Sequence, residues 1–179
     1  MRKISCRADC VLALNDKGEV FGWGNSEYSQ FRMITEEQQL HTPTHIPLGI
    51  GKVKDIASGG TICLALNEDG DVYVWGYGIL GKGPNLNTAI KPEKIPPALF
   101  GISPFSPDIK ITSLHAGLGH QAVVNSSGDL YIWGQNRERC LGLGEHGNQF
   151  FPLKIAIPGR VKEVSLGVDH SAVIASAWT

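Results

Sequence analysis

Short apolar runs recur along the chain, and each pair of them flanks a polar stretch that contains a glycine. The clearest are "VLALNDKGEVFGWG" (11–24), "CLALNEDGDVYVWG" (63–76) and "QAVVNSSGDLYIWG" (121–134). In each, two runs of strand length meet at Lys-Gly, Asp-Gly or Ser-Gly, pairs that accept the positive φ of a tight turn, so each predicts a β-hairpin. Apolar residues occupy both parities: Leu64 and Leu66 alternate with Ala65, and Val72 and Val74 with Tyr73 and Trp75. Both sheet faces are therefore expected to be covered, as when sheets stack face to face, with the tryptophan filling the space between neighbours.

The hairpins are copies of one another. The first and second share 8 of 14 positions and the second and third 6 of 14; Gly18, Gly70 and Gly128 recur at intervals of 52 and 58, as do Trp23, Trp75 and Trp133. That period is the one expected of propeller blades. Two further strands per unit come from the Pro-x-x-Ile stretches "TPTHIP", "KPEKIP" and "FPLKIA", and from the apolar runs "VKDIASGG", "IKITSLHAG" and "VKEVSLGV". Pro43, Pro92 and Pro152 suit an outer edge, because proline cannot donate to a ladder. The expectation is an all-β partial β-propeller over 1–179. It has about three four-stranded blades, with hairpins near 4–24, 56–76 and 114–134, and a partial fourth at 164–176.

Composition narrows the class without altering the fold. The 179 residues are 42% hydrophobic and 18% charged, the balance of a globular protein, and 22 glycines with 10 prolines suit turns between strands. Sixteen Lys and Arg against 17 Asp and Glu leave a net charge of -1, so the bulk electrostatics do not draw the chain to a polyanion. RNA is expected as an indirect partner only. The four cysteines, Cys6, Cys10, Cys63 and Cys140, form no CxxC and read as ordinary buried thiols of a reducing compartment rather than a disulfide framework. Cys6-x3-Cys10 with His41-x3-His45 has the wrong spacing for a zinc finger. No apolar run reaches the length of a membrane span.

Candidate chemistry is sparse. Gly76, four residues and then Gly81-Lys82 imitate a phosphate-binding loop, but Gly83-Pro84 stands where Ser or Thr should hold magnesium. In the repeat frame Leu80-Gly81-Lys82-Gly83 falls on Leu141-Gly142-Leu143-Gly144, an L-G-x-G turn. Asp169-His170-Ser171 supplies hydrolase residue types on strand neighbours that point to opposite faces. No catalytic, cofactor-binding or metal-binding residue is assigned.

The pattern G-x-x-H-[ST], apolar strand, G-[DE]-hydrophobic-aromatic-x-W-G, L-G-x-G resembles the repeat of the regulator-of-chromosome-condensation family. "GWGNSEY", "VWGYGILGKGPNL", "IPPALFG" and "GVDH" are similar, more narrowly, to the carboxy-terminal half of its mitochondrial member. The resemblance implies a seven-bladed ring, of which this chain is about half, since seven units at this period need about 370 to 400 residues. The remaining blades are then expected in cis. It implies a non-enzymatic protein-interaction scaffold in mitochondria, in ribosomal RNA or large-subunit biogenesis through assembly-factor partners. The alternative is guanine-nucleotide exchange on a GTPase, by resemblance a dynamin-like fusion GTPase.

Repeat-structural positions are Gly18, Trp23, Gly24, Gly70, Trp75, Gly76, Gly128, Trp133 and Gly134, with His120 and His170 from G-x-x-H. Those histidines either line a channel or lock a strand bend by a backbone hydrogen bond. Two loops stand out, 25–41 and 97–110. In the second, Phe100 and Phe105 either offer an aromatic partner site or pack over the blade rim. Arg137 and Arg139 lie in the third unit's loop, a tentative partner surface or a solvated one.

Overall fold

The computed structural model describes residues 1–144 and 147–177. Its strands form three four-stranded antiparallel sheets and one two-stranded sheet, and each four-stranded sheet pairs its strands in chain order. The first blade comprises β1 (Lys3–Arg7), β2 (Cys10–Leu14), β3 (Val20–Asn25) and β4 (Gln39–Ile46). The second comprises β5 (Val53–Ser58), β6 (Ile62–Asn67), β7 (Val72–Tyr77) and β8 (Thr88–Lys94). The third runs from β9 (Ile111–Ala116) through β10 (His120–Asn125) and β11 (Leu130–Gly134) to β12 (Gln149–Ile155). A β13–β14 hairpin (Arg160–Leu166, Ser171–Ser176) follows. The architecture is that of a partial propeller.

Burial follows the two-parity pattern. Every residue of β6 and β10 is buried, because a neighbouring sheet covers each face. One core cluster runs from Cys10 and Leu12 of the first blade through Leu64 and Trp75 of the second to Val123 and Trp133 of the third. β14 has the same alternation of small and apolar residues, yet Ile174 is 61% exposed. The pattern alone does not bury a strand; a packed neighbour does.

The hairpin turns rest on a second residue that repeats with the glycine. Asn15, Asn67 and Asn125 each stand three positions before the turn glycine, and their carboxamide oxygens cap the loop. The Asn15 oxygen accepts from the Lys17 and Glu19 amides at 3.0 and 2.9 Å, that of Asn125 from Ser127 and Asp129 at 3.0 Å each, and that of Asn67 from Asp71 at 2.9 Å. These Asx contacts mimic a backbone turn and fix the register of β2–β3, β6–β7 and β10–β11.

The outer strands solve the proline problem twice. β4, β8 and β12 are edge strands, and each slips register opposite the tryptophan. Gly22 pairs with Thr44 and Gly24 with Leu40, so 41–43 bulge past Trp23; 90–92 bulge past Trp75, and 150–152 past Trp133. Pro43, Pro92 and Pro152 all fall inside the bulges, where no ladder hydrogen bond is forfeited.

Candidate protein-interaction faces

Strand direction sorts the connections onto two faces. The β1–β2, β5–β6 and β9–β10 turns share one face with the loops 26–38 and 78–87 and with residues 135–144 and 147–148. The hairpin turns at Gly18, Gly70 and Gly128 share the opposite face with the links between blades, including 95–110. Arg137 and Arg139 therefore lie on one face and Phe105 on the other. The sequence-level partner surface is not one surface.

Phe100 leaves it altogether. It is 1% exposed, in a short 3-10 turn (Pro97–Phe100), with its ring edge-on to Tyr131 at 6.0 Å and tilted to Trp133 at 6.0 Å. The insertion packs this aromatic over the rim and leaves Phe105 97% exposed. On the other face, Arg137 and Arg139 are exposed around a short 3-10 turn (Arg137–Arg139). Tyr28, from the 26–38 loop, and Tyr77, at the end of β7 in the adjacent blade, stack there with centroids 5.8 Å apart and remain 43% and 46% exposed.

The loops of this face also close the junctions between blades. Trp75 is fully buried, and its indole Nε1 donates to the Gln30 carbonyl at 2.9 Å. Trp133 is fully buried beneath Gly81, where a Cβ would come 2.7 Å from the indole nitrogen. The glycine of the apparent phosphate loop is a lid on the next blade's tryptophan. Lys82 pairs with Glu93 at 3.0 Å. The first blade lacks L-G-x-G and compensates by volume: Gly22 replaces the Val74 and Ile132 of its sisters, and Phe31, fully buried, fills the space beside it. Buried Gln30 then ties that loop to the second blade, its Nε2 donating to the Gly60 carbonyl at 2.8 Å.

The histidine of G-x-x-H is a junction residue. His120, 0% exposed, reaches Ser171 of the next hairpin, with Nε2 3.0 Å from the hydroxyl oxygen, and the Ser171 hydroxyl donates to the Cys140 carbonyl at 2.7 Å. Its partners belong to the following unit: the Ser171 hydroxyl and the His170 backbone. His170 stands at the same position of the last hairpin and is exposed. At the first junction the same pair of positions holds Cys10 and Cys63, with sulfurs 4.0 Å apart. At the second they are Ile62 and Gln121, both buried. Where a histidine is missing, a different chemistry occupies the junction. Cysteine burial is uneven: Cys10, Cys63 and Cys140 are buried, whereas Cys6 is exposed and so departs from the buried-thiol expectation.

The innermost strands carry the charged groups. Lys3 pairs with Asp55 at 2.6 Å, the other Asp55 oxygen accepts the Leu114 amide at 2.8 Å, and Arg7 donates to the Leu166 carbonyl. Beside them burial, helped by the Lys3 cation, lowers His115 to about 4. Burial likewise lowers His120. Both rings are held neutral in the fold, while the unfolded chain protonates near 6.5. Between about pH 6.5 and about 4 the unfolded chain thus binds more protons, so the stability owed to neutral rings is complete above that window and lost as pH falls through it. The urea midpoint is expected to drop between about pH 7 and about pH 5, and by less in His115→Gln. Equal drops in both proteins would contradict it.

Comparison with known proteins agrees with this geometry. The model of the regulator of chromosome condensation (RCC1) repeat matches residues 17–66 and 127–174, and a second RCC1-repeat model matches 53–81. The chain belongs to the RCC1 repeat family. It is 45% identical over 177 residues to the mouse RCC1-like G exchanging factor-like protein, covering 98% of this chain and 38% of that one. It superposes on the crystal structure of human WBSCR16 with a TM-score of 0.96 at 44% identity, covering 98% of this chain and 44% of that one. It is 30% identical to the guanine nucleotide exchange factor SRM1 of Saccharomyces cerevisiae over 93% of this chain and 37% of that one. The chain thus spans well under half the length of these RCC1 relatives.

Proposed function

We propose that this chain is part of an RCC1-type propeller that works by binding protein partners through its loop faces, without covalent chemistry, as a mitochondrial scaffold in ribosomal RNA or large-subunit biogenesis. The observation that carries the reading is where the motif residues go. Trp75, Trp133 and His120 are buried between blades, so side chains free to meet a partner stand on loops and at a strand end: Tyr28, Tyr77 and Arg137 on one face, Phe105 on the other. Rigid blades presenting variable loops are the usual design of a binding scaffold. The mitochondrial and ribosomal parts rest on the resemblance to the family's mitochondrial member.

Exchange on a GTPase is the second reading, favoured by one relative named a guanine nucleotide exchange factor and another named G exchanging factor-like. Exchange proceeds by binding energy that favours the nucleotide-free GTPase, and it needs no catalytic motif in the chain. The two readings separate in one assay on the whole protein with GTPases carrying a fluorescent nucleotide. An unchanged release rate at excess protein is expected for the scaffold; acceleration would establish exchange in its place. Affinity capture from mitochondria should recover ribosome-assembly or RNA-modifying proteins, and a capture that holds none of them counts against the scaffold.

A further inference from the structure

The first blade junction differs chemically from the third although both use the same pair of positions. Where His120 meets Ser171, Cys10 meets Cys63, and the two sulfurs lie 4.0 Å apart with both residues at most 1% exposed. At that distance they share a weak S–H···S contact, and a bond requires the sulfurs to close to about 2.05 Å.

The two thiols are not equivalent. Cys10 lines a cavity of about 60 Å³ that opens on the Tyr28 and Tyr77 face, walled by Asp9, Gln30, Gly60 and Thr61. Cys63 lies behind it, fully buried in the core. A molecule the size of water or peroxide fits the cavity; a peptide disulfide does not. The electrostatics agree with the access: the contact with Cys63 lowers Cys10, while the same contact and burial push Cys63 well up.

We propose that Cys10 and Cys63 form a peroxide-responsive dithiol that closes to a disulfide and staples the first blade to the second. The Cys10 thiolate attacks one oxygen of hydrogen peroxide, the O–O bond breaks, and the departing hydroxide takes a proton to leave as water. Cys10 is then a sulfenic acid. The Cys63 sulfur attacks the Cys10 sulfur and the S–OH bond breaks. The hydroxyl leaves as a second water with the Cys63 proton. Two thiols are oxidised by two electrons and one peroxide is reduced to two waters. Cys6, exposed on β1, and Cys140, at the third junction, are not members of the pair. In the unfolded chain an added dithiol reduces the bond again.

The test uses the folded whole protein, exposed to dilute hydrogen peroxide, then acid-quenched, alkylated and mapped by mass spectrometry. The expected product is a single cross-linked peptide pair joining Cys10 to Cys63, lost on reduction and still formed in the Cys6→Ser/Cys140→Ser double variant. In Cys63→Ser the Cys10 sulfenic acid should persist and be captured by dimedone added together with denaturant after the peroxide is removed; in Cys10→Ser no adduct should appear on Cys63. A disulfide that involves Cys6 or Cys140 instead, or Cys10 and Cys63 both recovered as free thiols while Cys6 oxidises, overturns the proposal. Because the readout is the bond itself, a variant that loses stability does not imitate a positive result.

Discussion

Replacing Trp75 with alanine is expected to lower the stability of the protein by about 3–5 kcal/mol, among the largest effects any single side chain here can have. Trp75 is fully buried between the first two blades and donates its indole N–H to the Gln30 carbonyl at 2.9 Å. Truncation removes the apolar contact on both sides and leaves that carbonyl, on a loop the fold depends on, without its donor. Trp23 occupies the same repeat position but is only partly buried, so Trp23→Ala should cost clearly less. Urea denaturation of the three proteins, followed by circular dichroism, reads the difference. Equal losses at the two sites would show that the tryptophan acts within its own sheet and not between sheets.

The contrast between the two tryptophans marks what the sequence made legible. Strand identity, repeat period, the edge position of the prolines and the partial propeller were all readable, because each is set by local chemistry: alternation, a turn glycine, a proline that cannot donate. The junctions were not readable in the same way. His120 and Ser171 are 51 residues apart, and the relation that joins them is an offset of one position between successive repeats. Aligning the repeats in register sets His120 over His170 and hides that offset. Cys10 and Cys63 fall in the same relation, 53 residues apart. The remodelled loop 25–41 was visible as an exception, but its compensation by Gly22 and Phe31 is a volume exchange between residues nine positions apart. The asparagines at 15, 67 and 125 did carry a local signal, a constant offset from the turn glycine, and that signal was available to be read.

Phe100 and Phe105 show the limit from the other side. Both are aromatic residues in one insertion, yet one is 1% and the other 97% exposed. What decides between them is whether Tyr131 and Trp133 lie beneath, and composition does not contain that fact.

Glycine gives the sharpest test of the same distinction. Gly70 and Gly76 both recur in every hairpin repeat and both have positive φ, 87° and 103°. Around Gly70 a Cβ would meet nothing within 4 Å, whereas at Gly76 it would be driven into the Thr61 carbonyl oxygen. Gly70→Ala is therefore expected to cost only the left-handed backbone penalty of about 1–2 kcal/mol. Gly76→Ala carries that penalty and a backbone displacement of about 1–3 kcal/mol, because the obstructing atom belongs to the main chain of β6's own turn and cannot rotate away. The Tyr77 amide donates to that same carbonyl at 2.9 Å, so the displacement also weakens the hydrogen bond that ends β7. The W-G glycines Gly24 and Gly134 face the Asp9 and Gly119 carbonyls in the same way, and their alanine variants should fall with Gly76→Ala rather than with Gly70→Ala. Denaturation midpoints for the four variants should form two groups; one group would mean that φ alone, and not the close approach of the turn, requires glycine after each tryptophan.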